Sequence, residues 1–519
     1  MGARLWLVLL CLRFAGFWAK FFLQAPKGRP APPRPARERQ SQYALVQIGQ
    51  KLGLDPCFEH DTVVATPASD RYPLIVLVPK LAVMAALAIP VTSPRRFPDL
   101  AAAATLARRF GNPRALAERW DGDAAFAELR VAGPNPAWLR REPSPDEAVQ
   151  ALSGDASDLF VVDYRPWLRG LPCAPGRFMA PCAAVFREHE GRLHTLGIVL
   201  EGPGGTQLAR PDGTPGWQLA KMFFGNAEVL VHEAASHFLW THVVGERLLL
   251  ATRRHLDDAH PVSRLLAPHA HFTLQANENS GSRLLGPEGF FQRCFSAGWT
   301  GTVELLRRGQ AAFRFEQLVL PRELASRGVN GLGHYPYRDD ALATWNALSR
   351  YVAGALALDY HDDTHVATDV SLIHWTLAAG APCPTTRDEL ATLTTAILFT
   401  TAQHSFVNAL QFDAYAWPLV FPSTLRTPLP ASLERVTERE LVDALPSEQV
   451  VIDAARATYA FSVQYNVLGH DLERFLPPSH GPLVAQLRAD LEAARRAAAT
   501  RQGALPYDLL GRLSNSINA

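Results

Sequence analysis

The chain has 519 residues, 48% of them hydrophobic, and its 51 basic side chains nearly balance its 50 acidic ones. This length allows one large domain or two ordinary ones with a sizeable apolar core. Because the net charge is close to zero, we expect neither the basic surface that nucleic acids require nor a general attraction for acidic substrates. The six cysteines are scattered without a Cys-x-x-Cys pair, which argues against a metal-thiolate site.

The first 25 residues are strongly apolar and contain three cations, Arg4, Arg13 and Lys20. Leu5–Leu12 has the length of the apolar region of a signal peptide, but no clear cleavage site follows it. Arg13 interrupts what would approach a membrane span, and the Trp, Phe and Arg content favours a helix lying in the membrane interface. A helix packed on the domain is the alternative. We therefore expect residues 1–25 to associate with a membrane or direct export, and a cytoplasmic location otherwise.

A linker and less regular stretches come next. Pro26–Gln40 is rich in proline and arginine and is predicted to be extended and solvated. The pattern then predicts a helix over Ser41–Leu52 and a β-like apolar run over Tyr72–Val78. We divide the chain into an N-terminal segment with its linker, residues 1–40, and one large domain, residues 41–519.

Two stretches further on have the character of short β-strands. Leu159–Tyr164 and Met179–Phe186 are β-rich and alternate in polarity. They are predicted to be short strands that pair on a largely helical body.

The most informative stretch is residues 221–254, where only two single glycines, Gly225 and Gly245, could interrupt a helix. Apolar and small residues fill the other positions, which predicts one long buried helix. Histidines recur along it every five residues, at His232, His237 and His242.

The five-residue spacing limits what these histidines can bind. On a regular α-helix, residues five apart point about 140° away from each other and cannot share one small ion. A π-bulge brings such residues to one side, and π-bulges concentrate at functional sites. A shared metal therefore predicts a locally widened helix. The zinc-protease motif His-Glu-x-x-His is excluded, because His237 follows His232-Glu233 one residue too late. Hydrogen-bonded core histidines are the alternative.

A second predicted helix carries Gln403, His404, Asn408 and Gln411. Residues four apart lie on one helix face, so His404 and Asn408 can address one ion without distorting the helix. Taken alone, the pair could equally be a packed polar pair.

The order of these residues resembles lipoxygenases. The matching run is Trp217-x-x-Ala-Lys221 followed by His232-x4-His237-x4-His242-x17-His260-x8-His269. Similar segments are Trp120–Phe126, Gly133–Pro136, Leu320–Gly328 and Tyr335–Asp340, with a helix over Ala341–Leu358. The resemblance covers roughly residues 115–519. It implies a mainly α fold, a large helical catalytic domain around the metal-bearing helix with a few short strands. The N-terminal β-sandwich of the family is not expected here.

The resemblance also implies a ligand set for one non-haem iron per chain. His237, His242 and His404 would be ligands, Asn408 a weak ligand, and the terminal carboxylate of Ala519 the last. His232, His260 and His269 would be structural or lie around the ligands. The family's terminal pattern departs here, because Ser514 replaces a proline and Ala519 an isoleucine. A frayed terminus is the alternative for Ala519.

Neutral nitrogen and hard oxygen donors suit iron or manganese, and the resemblance favours iron. Glu233 and Gln411 match polar positions that surround the ligands in the family. Ser280 stands where the family has an Ala or Gly that influences product stereochemistry, and its neighbour Gly281 stands where the family often has Arg. Arg283 is a candidate anchor for a substrate carboxylate.

The implied activity is dioxygenation of polyunsaturated fatty acids that contain a cis,cis-1,4-pentadiene. In that mechanism ferric hydroxide removes a hydrogen atom, and O2 traps the radical as a conjugated hydroperoxide, an oxylipin. A redox metal is needed because side chains do not perform one-electron chemistry readily. The alternatives are a related enzyme that isomerises hydroperoxides and a non-catalytic lipid-binding protein. Partners would be the fatty acid and O2, with the chain a monomer and no nucleic acid bound.

Overall fold

The computed structural model describes residues 35–52, 60–71, 95–110, 122–142, 145–154, 158–415, 417–461, 464, 466–501 and 510–517. The interfacial segment 1–25, the β-like run Tyr72–Val78 and the terminal Ala519 therefore lie outside the described residues. Helices dominate what is described, which confirms the predicted mainly α fold.

The helices are numbered in chain order and their bounds are as follows: α1 Ala36–Gln42, α2 Ile48–Leu52, α3 Leu100–Phe110, α4 Asp123–Ala132, α5 Glu147–Ser153, α6 Arg165–Leu168, α7 Pro215–Val231, α8 Val244–His255, α9 Pro261–Leu266, α10 Thr273–Leu284, α11 Phe290–Cys294, α12 Gly298–Ala312, α13 Leu320–Ser326, α14 Pro336–Asp359, α15 Asp363–Ala367, α16 Val370–Ala379, α17 Arg387–Ala414, α18 Glu438–Ala444, α19 Glu448–Phe461 and α20 Gly481–Ala499.

The long buried helix is present, and it has three consecutive parts. Helix α7 leads into a π-helical segment, His232–Val243, which continues into α8. The widened helix that the histidine spacing predicts is therefore confirmed. Gly225 allows another part of the chain to approach α7 closely, because a Cβ there would lie 1.8 Å from the carbonyl oxygen of Val420.

A five-stranded antiparallel sheet flanks the helical body in the order β3-β4-β5-β6-β7. Its strands are β3 Arg140–Glu142, β4 Leu159–Asp163, β5 Cys182–His189, β6 Arg192–Gly202 and β7 Gly205–Ala209. Alternate residues of β4 face opposite sides. Phe160 and Val162 join the main core, whereas Leu159 and Val161 pack with Val149 of α5.

The predicted strands at 159–164 and 179–186 are present, and the second begins later than predicted. β5 starts at Cys182, immediately after Pro181. Proline has no N–H to donate to a β-ladder, so it favours the start of a strand rather than its interior. The helix predicted over Ala341–Leu358 lies within α14.

The prediction of one helix over Ser41–Leu52 was wrong. Strand β1, Leu45–Gln47, separates α1 from α2 because it pairs antiparallel with β2, Asp61–Val63. This partner is distant in sequence, and such pairing overrides local helix propensity.

The extended conformation predicted for the end of the Pro26–Gln40 linker was also wrong. α1 begins at Ala36, and its Arg39 is buried with its guanidinium 3.1 Å from Asp257. Contact with the end of α8 therefore orders this part of the linker. As far as the structure describes the chain, its helices are too short or too polar to cross a bilayer.

Candidate metal centre and its cavity

The π-helical segment places its three histidines along one side. The ring centroids of His232 and His237 lie 5.6 Å apart, and those of His237 and His242 lie 5.1 Å apart. An i to i+5 backbone repeat stacks residues that a regular α-helix would spread around its axis. All three side chains are buried.

His404 completes the centre from α17. Its Nε2 lies 3.3 Å from Nε2 of His237 and 3.0 Å from Nε2 of His242. Among the described residues, these three form the group whose ligand atoms all lie within 4.8 Å of one another. Two helices that are distant in sequence thus bring three ring nitrogens to one point.

Neighbouring acceptors determine which nitrogens face that point. Nδ1 of His237 lies 3.3 Å from the Glu233 carboxylate, and Nδ1 of His242 lies 2.7 Å from the Asn277 side-chain oxygen. Both Nδ1 atoms therefore carry the proton, and each Nε2 presents a lone pair.

These lone pairs fit a metal cation. Nε2 of His237 and Nε2 of His242 both point at Nε2 of His404, and a cation between the three rings would take all three nitrogens as ligands. Burial and the neighbouring His242 and His237 hold the pKa of His404 well below its usual value, so this imidazole is neutral and able to ligate. The donor set is therefore suited to iron, and three imidazoles alone do not separate iron from manganese.

The structure describes the predicted oxygen ligands Asn408 and Ala519, and the neighbouring Gln411, only in part. Asn408 is buried one turn after His404 on the same face of α17. Gln411 lies in the same helix, but its side chain is outside the described part of the chain. Ala519 is not described either, so its role as a ligand stays a prediction.

The remaining histidines of the motif have separate surroundings. His232 is fully buried against the Tyr415 ring, with centroids 5.3 Å apart, and burial holds its pKa well below its usual value. His260 caps α9 and lies 3.0 Å from Asp369. His269 donates through Nδ1 to the carbonyl oxygen of Asn515, at 2.8 Å. His269 therefore holds the segment that leads to the C-terminus.

Other contacts secure that segment. The Asn515 side chain accepts from the N–H of Gly469 at 2.9 Å and donates to the carbonyl of His470 at 2.8 Å. Ile517 is buried against Gly245, where a Cβ would lie only 2.7 Å from its Cδ1. Ile517 therefore packs beside the continuous helix that carries His242.

An apolar cavity borders the histidines, and small-molecule sites are typically concave and mostly apolar with a few polar groups. Its lining residues are Val229, Glu233, His237, Phe238, His242, Ser280, Leu284, Phe290, Phe291, Phe295, Tyr415, Phe421, Ser423, Ala454 and Ala457. Aromatic rings dominate this wall, and none of the described lining residues is a lysine or arginine. The cavity suits a hydrocarbon chain.

The predicted pocket residues lie in different places. Ser280 lines this cavity, in α10. Gly281 instead lines a smaller neighbouring cavity together with Glu246 and Asn277. Arg283 is exposed and does not line the main cavity, so the structure does not bring it to the site.

Sequence reasoning missed two residues that contact the histidines or their partners. Asn277 accepts from His242, and Glu246 accepts from Asn277 at 2.8 Å. Glu246 lies four residues after His242, so its place on the same helix face was the one available signal. Asn277 gave none, because its role depends on how α10 packs.

Comparison with known proteins agrees with this geometry. The lipoxygenase family description matches residues 149–452. The human polyunsaturated fatty acid lipoxygenase ALOX12 is 32% identical over 446 residues, covering 77% of this chain and 67% of that protein. The human hydroperoxide isomerase ALOXE3 is 32% identical over 373 residues, 64% of this chain and about half, 52%, of that protein.

Solved structures show the same fold. Coral 8R-lipoxygenase superposes with a TM-score of 0.83 at 23% identity, covering 93% of this chain and 80% of that chain. A lipoxygenase solved anaerobically in complex with arachidonate gives a TM-score of 0.83 at 22% identity, with the same coverage.

The fold and the site together define the class of protein: a helical catalytic domain with a buried histidine centre beside an apolar cavity. The chain belongs to the lipoxygenase family and is a lipoxygenase-type enzyme.

Proposed function

We propose that this enzyme converts polyunsaturated fatty acids with a cis,cis-1,4-pentadiene into conjugated hydroperoxides. Iron would be held by His237, His242 and His404, with Asn408 and the carboxylate of Ala519 as oxygen donors. One observation supports this most: the nitrogens of His237, His242 and His404 converge at one point, and two of these histidines, His237 and His242, line an apolar cavity.

The chain's own groups would bind and orient the substrate. The phenylalanines of α11 and its flanks, together with Ala454 and Ala457 of α19, offer an apolar surface for the hydrocarbon chain and exclude water. His237 and His242 line the same cavity, so the reacting carbon would lie beside the ligands. The hydrogen bonds to Glu233 and Asn277 hold these two rings in orientation.

A redox-active iron supplies the one-electron oxidation that side chains do not perform readily. Overall, one C–H bond of the diene is broken, one molecule of O2 adds to carbon, and the hydrogen ends on the outer oxygen. The reaction needs no other oxidant or reductant.

A second candidate is the rearrangement of fatty-acid hydroperoxides. Its support is the similarity to a relative named as a hydroperoxide isomerase. This reaction would use the same cavity, but its substrate would be a hydroperoxide and it would consume no O2.

Oxygen uptake with linoleate, measured with the metal content of the same sample, tests both candidates. Uptake with conjugated-diene absorbance and iron in proportion to protein supports the dioxygenase. Iron without uptake, with consumption of added linoleate hydroperoxide, supports the isomerase. A sample with neither activity would contradict both.

A further inference from the structure

A continuous chain of hydrogen bonds connects His242 to the N-terminal β1–β2 pair. Nδ1 of His242 lies 2.7 Å from Oδ1 of Asn277, and Nδ2 of Asn277 lies 2.8 Å from Glu246 Oε2. The Thr62 hydroxyl donates to Glu246 Oε1 at 2.7 Å, and His60 Nε2 lies 3.4 Å from Oε2. His60 and Thr62 both precede the segment matched by the lipoxygenase family, residues 149–452.

The chemistry of the groups sets the direction of each bond. A carboxylate only accepts, so the Asn277 NH2 group must face Glu246. The same NH2 group donates to the carbonyl oxygen of His242 at 2.9 Å. With both N–H bonds used, Oδ1 of Asn277 faces Nδ1–H of His242, and Nε2 is left as the ligating nitrogen.

The position of Asn277 therefore depends on Glu246, and Glu246 depends on its donors. Glu246 is 2% exposed, and a buried carboxylate is costly unless donors satisfy it. Nε2 of His60, which is also buried, lies 3.4 Å from Oε2 of this carboxylate. Among the described residues that contact this carboxylate, Thr62 lies in β2 and His60 immediately precedes it.

Strand pairing explains why Thr62 can reach this carboxylate. In β2 the residues Thr62 and Val63 are buried whereas Asp61 is exposed, and Val46 of β1 is the partner of Thr62. The pair thus presents the Thr62 hydroxyl to α8 rather than to solvent.

We propose that Thr62 and His60 are positioning residues for His242, acting through Glu246 and Asn277. This inference rests on the proposed function only in that it takes His242 to be an iron ligand. A strand pair near the N-terminus thus helps to hold the metal centre. Loss of groups around a metal ligand typically costs about 10–100-fold in metal affinity.

The test compares Thr62→Val with Thr62→Ser in the full chain. Valine keeps the shape but removes the donor, whereas serine keeps the hydroxyl. Iron affinity is measured by competition with a chelator, and the electron paramagnetic resonance spectrum of the ferric protein reports ligand geometry. We expect Thr62→Val to weaken iron binding about 10-fold and change the spectrum. Thr62→Ser should restore both.

Two further variants make the result decisive. Val64→Ala changes the residue that follows β2, which is 57% exposed, and it should behave as wild type. Glu246→Gln removes the charge with little change in shape, and it should weaken iron binding even if Thr62→Val folds poorly. Wild-type iron affinity and a wild-type spectrum in both Thr62→Val and Glu246→Gln would overturn this inference and leave the proposed function unaffected. A wild-type protein that binds no iron would overturn the proposed function and this inference with it.

Discussion

His237 and His404 bring their Nε2 atoms to 3.3 Å although 167 residues separate them in sequence. This contact is therefore not local in sequence. The π-helical segment turns His237 toward the centre, and α17 brings His404 against it. Nε2 of His404 also lies 3.0 Å from Nε2 of His242, so this nitrogen lies close to the ligating nitrogens of both other histidines.

Replacing His404 with leucine should remove most of the bound iron and abolish oxygen uptake. Leucine fills much of the space but supplies no lone pair, so two imidazoles remain. The measurements are metal content per chain and uptake with linoleate. His189→Gln is the control, since its side chain is 61% exposed on β5. Full iron content in His404→Leu would exclude His404 as a ligand.

Replacing Ala454 with phenylalanine should shorten the space available to the substrate. Ala454 lines the cavity from α19, and its side chain is 8% exposed. In a hydrophobic pocket one methylene changes discrimination by roughly 10–200-fold, so we expect kcat/KM for a C20 acid to fall at least about 10-fold relative to a shorter acid.

The control for this prediction is Ala497→Phe on an exposed position of α20. Overpacking costs about 1–3 kcal/mol, so thermal unfolding should confirm that Ala454→Phe is folded. Equal losses for long and short acids would show that Ala454 does not limit chain length.

The widened helix could be predicted because three histidines recur at a spacing of five residues and were expected to surround one ion. A shared ion at His237 and His242 is incompatible with a regular α-helix, and the π-helical segment resolves that conflict. The Ser41–Leu52 prediction failed for the opposite reason. Its local pattern suggested a helix, but antiparallel pairing of Leu45–Gln47 with the strand Asp61–Val63 decided the outcome.

The hydrogen bonds around the ligands were less accessible to sequence reasoning. Asn277 lies 35 residues after His242, and Thr62 lies 184 residues before Glu246. No helical or strand periodicity connects such positions. Only the packing of α10 and of the β1–β2 pair against α8 makes them neighbours.

Replacing Gly245 with leucine should displace the C-terminal segment. A Cβ at Gly245 would lie 2.7 Å from Cδ1 of Ile517, and a leucine side chain adds more volume at the same place. If the terminal carboxylate is a ligand, iron binding should weaken, and carboxypeptidase should remove the terminus faster. Both effects are measured on the same sample.

The double variant Gly245→Leu with Ile517→Ala tests the cause. Removing the Ile517 side chain makes room for leucine, so part of the protease resistance should return. No recovery would mean that the leucine acts through α8 itself and not through Ile517.

The stability of the metal-free protein should fall as the pH drops from about 6.5 to about 4. Burial lowers the pKa of His269 from 6.5 to about 4, while its Nδ1 donates to Asn515. Between these values the unfolded chain binds a proton at His269 and the folded chain does not, so acid favours unfolding. At 1.36 kcal/mol per pKa unit, the contribution of this one group reaches about 3 kcal/mol.

Urea unfolding of wild type and His269→Gln at pH 7.5, 6.5, 5.5 and 4.5 measures this contribution. Glutamine can still donate to the Asn515 carbonyl but does not titrate. Carboxyl groups that protonate below pH 5 affect both proteins alike, so the difference between the two curves isolates His269. We expect the variant to lose less stability than wild type over this range, because the unfolded-state proton uptake is gone. Parallel curves would show that His269 takes up its proton equally in both states and that its burial carries no cost to stability.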